Sequence, residues 1–250
     1  MSLVGCDKRL VAALLSLSAL AGVVAGCGGT SSPEPAKPVA ELAPKQILAV
    51  AMAAARSEGS MHFDVQAMAS AATVDVVGDA LPTAGRQVTT GGSGAEMTEL
   101  VLPGGTYIHG NEAALTSFLG MPARKAARLA NRWLVLHASD PDYQQITQGV
   151  TGDSVLSSVT PTGRLVKAKK VQKISGQSVI GVGGTAPASS DAPPGADAEL
   201  WVAATGKPLP VAALEVSGSN RIEVYFIRSS WGEKVTGVTA PAGAVPYPAG

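Results

Sequence analysis

The sequence predicts an α+β domain in which helices cover one face of an antiparallel sheet of about ten strands. Three observations predict it. The apolar period changes from helical to alternating at Gly59. The alternating segments fall in two blocks, one on each side of a helical stretch at 111–159, and the turns inside each block are too short to cross over to a parallel neighbour. Runs of strands set apart from runs of helices give a sheet with one face covered.

Each element follows from its residues. Over 45–57, Ile47, Val50, Ala51 and Ala54 recur at helical spacing among alanines, so this stretch is one amphipathic helix that ends at Gly59. Met61, Phe63, Val65, Ala67 and Ala69 then alternate with mostly polar residues, which predicts a half-buried strand. Strands follow at 72–78, 85–90, 95–102 and 106–109, with Gly-rich turns and Pro103-Gly104-Gly105 between them. Residues 111–130 read as one or two short helices broken at Gly120, with Pro122 opening the second in its first turn. A strand at 133–136 follows. Asp140 as N-cap and Pro141 after it open a further helical region that runs, with breaks, to about Val159. The second block places strands at 165–174, 178–183, 198–204, 209–217, 221–229 and 235–239, with turns at Thr205-Gly206-Lys207-Pro208 and Gly218-Ser219-Asn220. The insert at 184–197 is Gly, Pro, Ala, Ser and Asp, and reads as a mobile loop too polar to pack.

The first 44 residues have a different character. Asp7, Lys8 and Arg9 precede an uncharged apolar run from Leu10 to Val24, the pattern of a signal peptide and too short for the ~20 residues of a membrane-spanning helix. Residues 1–26 are therefore expected to be removed. Val24-Ala25-Gly26-Cys27 resembles the lipobox of bacterial lipoproteins, in which a thiol directly follows the cut. That resemblance implies a diacylglyceryl thioether on Cys27, and two buried acyl chains are enough for stable anchoring at about 0.8 kcal/mol per methylene. From Gly28 to Pro44 the residues are mostly small, polar or proline, so 27–44 reads as the lipidated cysteine and a flexible tether, and 45–245 as the domain. The expected location is the extracytoplasmic face of the cell membrane.

Composition excludes several functions. The other cysteine, Cys6, lies in the predicted leader, so the mature chain can form neither an internal disulfide nor a Cys-ligated metal site. The sequence holds 19 basic and 19 acidic residues; less Lys8, Arg9 and Asp7 these leave 17 and 18, without the basic excess that a nucleic-acid partner requires. The densest basic cluster, Lys167, Lys169, Lys170 and Lys173, reads as the solvated face of a strand rather than an anionic headgroup contact. His62, His109 and His137 are far apart and outside any H-x-x-H or H-E-x-x-H spacing, and no serine sits in a G-x-S-x-G elbow. No catalytic residue and no cofactor is assigned. Aromatic residues are few, which leaves a sheet face of Val, Leu, Ile, Ala and Met. Pattern alone favours a closed core over a face that opens to acyl chains, because apolar pockets are few per protein.

The order of motifs carries a family resemblance. Ser57-Glu58-Gly59-Ser60-Met61-His62-Phe63 follows the Ala-rich helix, Tyr107-Ile108-His109-Gly110 precedes a short helix, and Asn131-Arg132-Trp133-Leu134-Val135-Leu136 follows it. Thr205-Gly206-Lys207-Pro208-Leu209-Pro210-Val211 and Ser230-Trp231-Gly232-Glu233 close the series. Together with the lipobox, this succession resembles actinobacterial lipoproteins of the LppX/LprG type, a branch of the LolA-like superfamily, over roughly residues 43–245. The resemblance implies a strongly curved antiparallel half-barrel with helices on its concave side, and a non-enzymatic protein that binds or carries a lipid, a lipoglycan or another hydrophobic ligand. None of the matched motifs is a ligand-contact signature, so no binding residue is transferred. The other reading is an envelope interaction module whose core is closed.

Overall fold

The computed structural model describes residues 37–69, 72–140, 143–190, 195–216 and 223–248. The predicted signal peptide, Cys27 and the first part of the predicted tether lie outside the described residues, as do Pro141 and the turn at 218–220. Residues from Lys37 onward form one compact unit.

The unit is α+β, as its hydrophobic periods require. Helix α1 spans Pro44–Glu58. Pro44 sits at its first turn, where an amide N–H is not missed, and the Gln46 side-chain oxygen accepts from the Ala43 N–H at 3.1 Å. Its buried residues, Ile47, Leu48, Ala51, Met52 and Ala55, form one stripe. The first strand block is β1 (Met61–Ala69), β2 (Ala72–Leu81), β3 (Ala84–Thr90), β4 (Glu96–Leu102), β5 (Gly105–Gly110) and β6 (Trp133–Leu136). Between β5 and β6 come α2 (Glu112–Ser117) and α3 (Ala123–Leu129), and after β6 come α4 (Tyr143–Thr147) and α5 (Gly152–Val159). The second block is β7 (Thr162–Lys167), β8 (Gln172–Ile174), β9 (Gln177–Thr185), β10 (Asp197–Ala203), β11 (Pro210–Val216) and β12 (Glu223–Trp231), with β13 (Val245–Pro246) last.

These strands make one sheet of thirteen in the order β13-β6-β5-β4-β3-β2-β1-β12-β11-β10-β9-β7, with β8 paired to β9. It is antiparallel except where β13 pairs parallel with β6. The path is open and closes no barrel. Each block is a meander, and pairing of β1 with β12 joins the two blocks. That seam puts the first strand of the unit beside its last long one.

Register settles which face is covered. Phe63 lies opposite Gly78, Gly78 opposite Gln87, Gln87 opposite Glu99, and Glu99 opposite Ile108, so these residues share one face. Ala213, Leu200 and Val182 continue that face across the second block. One core cluster packs Phe63, Ala80, Ile180, Val182, Leu200, Val202 and Ala213 against α1 and against Val155, Leu156 and Val159 of α5. A second cluster packs Ile108, Leu134 and Leu136 against Leu115 of α2, Ala126 of α3 and Ile146 of α4. All the α-helices therefore cover the same face.

Three expectations are corrected. The single strand at 165–174 is two, β7 and β8, because 168–171 leaves the ladder. Residues 235–239 form no strand, and the C-terminal pairing comes later, where the Tyr247 N–H donates to the Val135 carbonyl at 2.8 Å. Asp140 closes the turn after β6, its carboxylate accepting from the His137 N–H at 2.7 Å, and the first-turn residues that it is expected to cap lie outside the described residues. The described part of the polar insert packs, since the Ser189 hydroxyl donates to the Ser157 carbonyl at 3.1 Å and the Gln148 amide donates to the Ser189 carbonyl.

Candidate functional site

The covered face is uneven. At its centre the sheet floor changes from aliphatic to mixed: Phe63 and Val65 of β1, Val76 of β2 and Ala213 of β11 adjoin Gln87 of β3 and Glu215 of β11. Gln87 is buried and donates to the carboxylate of Glu99, itself only 6 % exposed, and Glu215 is 5 % exposed. Two carboxylates at such burial are uncommon on a core-facing sheet surface. The tip of the Phe63 ring lies over Gly78, where an added Cβ would stand 2.2 Å from the Phe63 Cζ atom. Gly78 is thus the residue that lets an aromatic ring lie on the floor.

Over this floor stands α5. Thr151 caps it, with the Thr151 Oγ1 accepting from the Ser154 N–H at 3.3 Å and the Ser154 Oγ accepting from the Thr151 N–H at 3.1 Å. Its first turn is pinned to the β2–β3 hairpin: the Asp153 N–H donates to the Pro82 carbonyl at 3.2 Å, and the Val150 carbonyl crosses Gly85 where a Cβ would stand 2.0 Å away. At its other end the Thr160 hydroxyl reaches the Met52 sulfur of α1 at 3.3 Å.

Cavities flank α5 on both sides. One, of about 110 Å³, lies between the Phe63–Val65–Val76–Ala213 floor and Val155, Ser158 and Val159, with Gln148, Ser189 and Ser190 at its rim. The other, of about 150 Å³, lies between Met61, Ala80 and Leu81 of the sheet, Ala55 of α1 and Leu156 of α5, and its lining is almost wholly apolar. At its rim, Arg56 and Asp153 pair at 3.4 Å, both more than half exposed, which contributes little to stability. On the opposite face of the sheet, an open groove of about 590 Å³ runs over β7, β9, β10 and β11 past Arg164, Val166, Asp197 and Glu199. Burial pushes the Glu199 carboxyl above its ordinary range.

The histidines do not converge. Asp79 holds His62 across β1–β2 at 2.9 Å, His109 packs on Trp133 with ring centroids 5.2 Å apart, and His137 sits in the turn after β6. Lys167 is not on a solvated face: its ammonium turns inward and donates to the Ala40 and Leu42 carbonyls at 2.8 and 2.9 Å. Sequence reasoning missed Gln87, Glu99 and Glu215. A signal exists, because each occupies a core-facing position of its strand: Gln87 between Gly85 and Thr89, Glu99 between Met97 and Val101, Glu215 after Ala213. Among the described residues no group of three or more His, Cys, Asp or Glu could hold a metal ion.

No family model and no curated protein matches the chain. Solved structures do. The chain is similar to the lipoprotein LppX of Mycobacterium tuberculosis, at 22 % identity and a TM-score of 0.49, over 78 % of this chain and 99 % of that one. It is similar to LprF of Mycobacterium bovis, at 17 % identity and a TM-score of 0.47, over 80 % of this chain and 97 % of that one. It is also similar to an uncharacterized conserved protein of Thermus thermophilus, at 12 % identity and a TM-score of 0.45, over 81 % of this chain and 97 % of that one. LppX, a lipoprotein of the type that the sequence resembles, is thus among the solved structures to which the chain is similar.

Proposed function

We propose that the chain is a non-enzymatic envelope lipoprotein, held on the extracytoplasmic face of the membrane by acyl chains on Cys27, that takes the apolar part of a lipid between its sheet and α5. In this reading residues 1–26 are the removed signal, 27–44 carry the anchor and the tether, and 45–245 form a half-barrel whose concave side is the helix-covered face. The observation that carries the ligand reading is the position of α5. An eight-residue helix stands between two cavities, with Val155 and Val159 lining one and Leu156 the other. Neither cavity alone, at about 110 and 150 Å³, reaches the roughly 300–1,000 Å³ of small-molecule sites; joined, and enlarged by the space those three side chains vacate, they would form one larger and mostly apolar volume. Lifting α5 about its pinned first turn would join them.

The small size of the two cavities supports a second reading, in which the core stays shut and the protein only displays its surface to an envelope partner. Lipid extraction separates the two. The full chain, isolated from its native membranes, should release by mass spectrometry a hydrophobic molecule beyond its own anchor, and repeated absence of any such molecule would favour the closed module. The anchor is tested separately, since Cys27→Ser should move the chain from the membrane to the soluble fraction.

A further inference from the structure

The edge of the sheet farthest along the second block has an unusual surface. Among the described residues three large hydrophobic side chains are strongly exposed, and two of them, Val166 at 58 % and Val171 at 47 %, lie on β7 and in the β7–β8 connection. Lys169, Lys170 and Lys173, all exposed, flank Val171 along the chain. No acidic residue occurs between Asp153 and Asp191. Arg164 shares the outer groove with Asp197 and Glu199, so the excess of positive charge at this edge belongs to the three lysines.

The same edge receives the N-terminal segment of the folded unit. Lys167 binds the Ala40 and Leu42 carbonyls, which fixes the 3-10 turn at Val39–Glu41 beside β7. Cys27 precedes Lys37 by ten residues. A chain spans at most about 3.6 Å per residue, so an anchor on Cys27 keeps Lys37, and with it this edge, within about 35 Å of the bilayer. Ammonium groups gain from an anionic surface within a Debye length of about 8 Å, and a short tether makes that approach frequent. Exposed valines among lysines have the composition that enters the interfacial layer, with the apolar side chains in the acyl boundary and the charges at the headgroups.

We propose that the β7–β8 edge, led by Val171 and Lys169, Lys170 and Lys173, docks the domain on an anionic lipid surface. The inference rests on the reading that Cys27 carries the anchor. Docking gives the lipoprotein a second membrane contact and fixes which side of the domain faces the bilayer.

The test uses the full chain isolated from membranes of an expressing cell. It is reconstituted in vesicles of phosphatidylcholine alone or with about 30 % phosphatidylglycerol, and carries Val171→Cys labelled with an environment-sensitive fluorophore. On anionic vesicles the label should shift to the blue and be quenched by nitroxide-bearing lipid, and about 0.5 M salt should reverse both changes. The same label at Val77→Cys, exposed on β2, should stay in water. Each lysine near an anionic surface contributes about fivefold, so Lys169→Glu, Lys170→Glu and Lys173→Glu together should lower the ratio of docked to undocked domain at least a hundredfold. A label that remains in water while the protein still floats with anionic vesicles overturns the docking and leaves the anchor standing. Equal quenching on neutral vesicles also overturns it. A protein that does not float with either vesicle overturns both.

Discussion

Single residues decide what the sheet floor can hold. Phe63 is 1 % exposed and its ring tip lies on Gly78, so Gly78→Ala places a methyl 2.2 Å from Cζ and forces the ring to shift. Such overpacking costs about 1–3 kcal/mol. Chemical denaturation should show that loss, and Phe63→Leu in the same chain should cost less beside Gly78→Ala than alone, because the two changes share one contact. Glu199 offers a test by pH. Its carboxyl titrates above the ordinary value of 4.5 because burial disfavours the charge, so the folded state binds the proton more tightly than the unfolded one. Stability from this group is therefore fully present below the ordinary value and is lost as pH rises through the raised one. Glu199→Gln, which stays neutral, should melt at a higher temperature than the parent at pH 7 and at the same temperature below about pH 4.

At the scale of elements, α5 is the part whose stability bears on function. Its cap is a reciprocal pair between Thr151 and Ser154, and removing such a cap costs about 1 kcal/mol. Thr151→Ala should lower global stability by that amount. It should also speed uptake of a fluorescent fatty acid in stopped-flow mixing, since a looser α5 opens more often. The helices and most strands were legible in the sequence because their periods are long and clean: α1 is an alanine-rich stripe, and β1 alternates over nine residues. What failed is equally physical. The 235–239 stretch has strand-like composition, but Gly237 stands at φ +76° in its middle and breaks the extended run, whereas two residues of β13 pair with β6 farther on. The insert at 184–197 is too polar to predict packing, yet in its described part the Ser189 hydroxyl pairs with that of Ser157 on α5 and the Gln148 amide donates to the Ser189 carbonyl, contacts 32 and 41 residues apart that leave no periodic trace.

The whole molecule depends on contacts that no local pattern encodes. Pairing of β1 with β12 merges two meanders into one sheet, and only then do Val65 and Ala213 become neighbours on one floor. The alternation of Ala213 with Glu215 shows that a carboxylate faces inward. It does not show that Gln87, from the other block, lines the same cavity. The lysine cluster teaches the reverse lesson: its charges were evident, but the inward turn of Lys167 onto the Ala40 and Leu42 carbonyls could only be seen once β7 and the entry to α1 lay side by side. The central claim is that a hydrophobic ligand lies on the Val65 floor beneath α5. Titration of the full chain with a fluorescent fatty acid, beside a Val65→Trp variant whose indole fills the cavity there, tests it most directly. Saturable binding by the parent, weakened at least tenfold in a variant that keeps its melting temperature, is the predicted result; equal binding by both, or none by the parent, would contradict it.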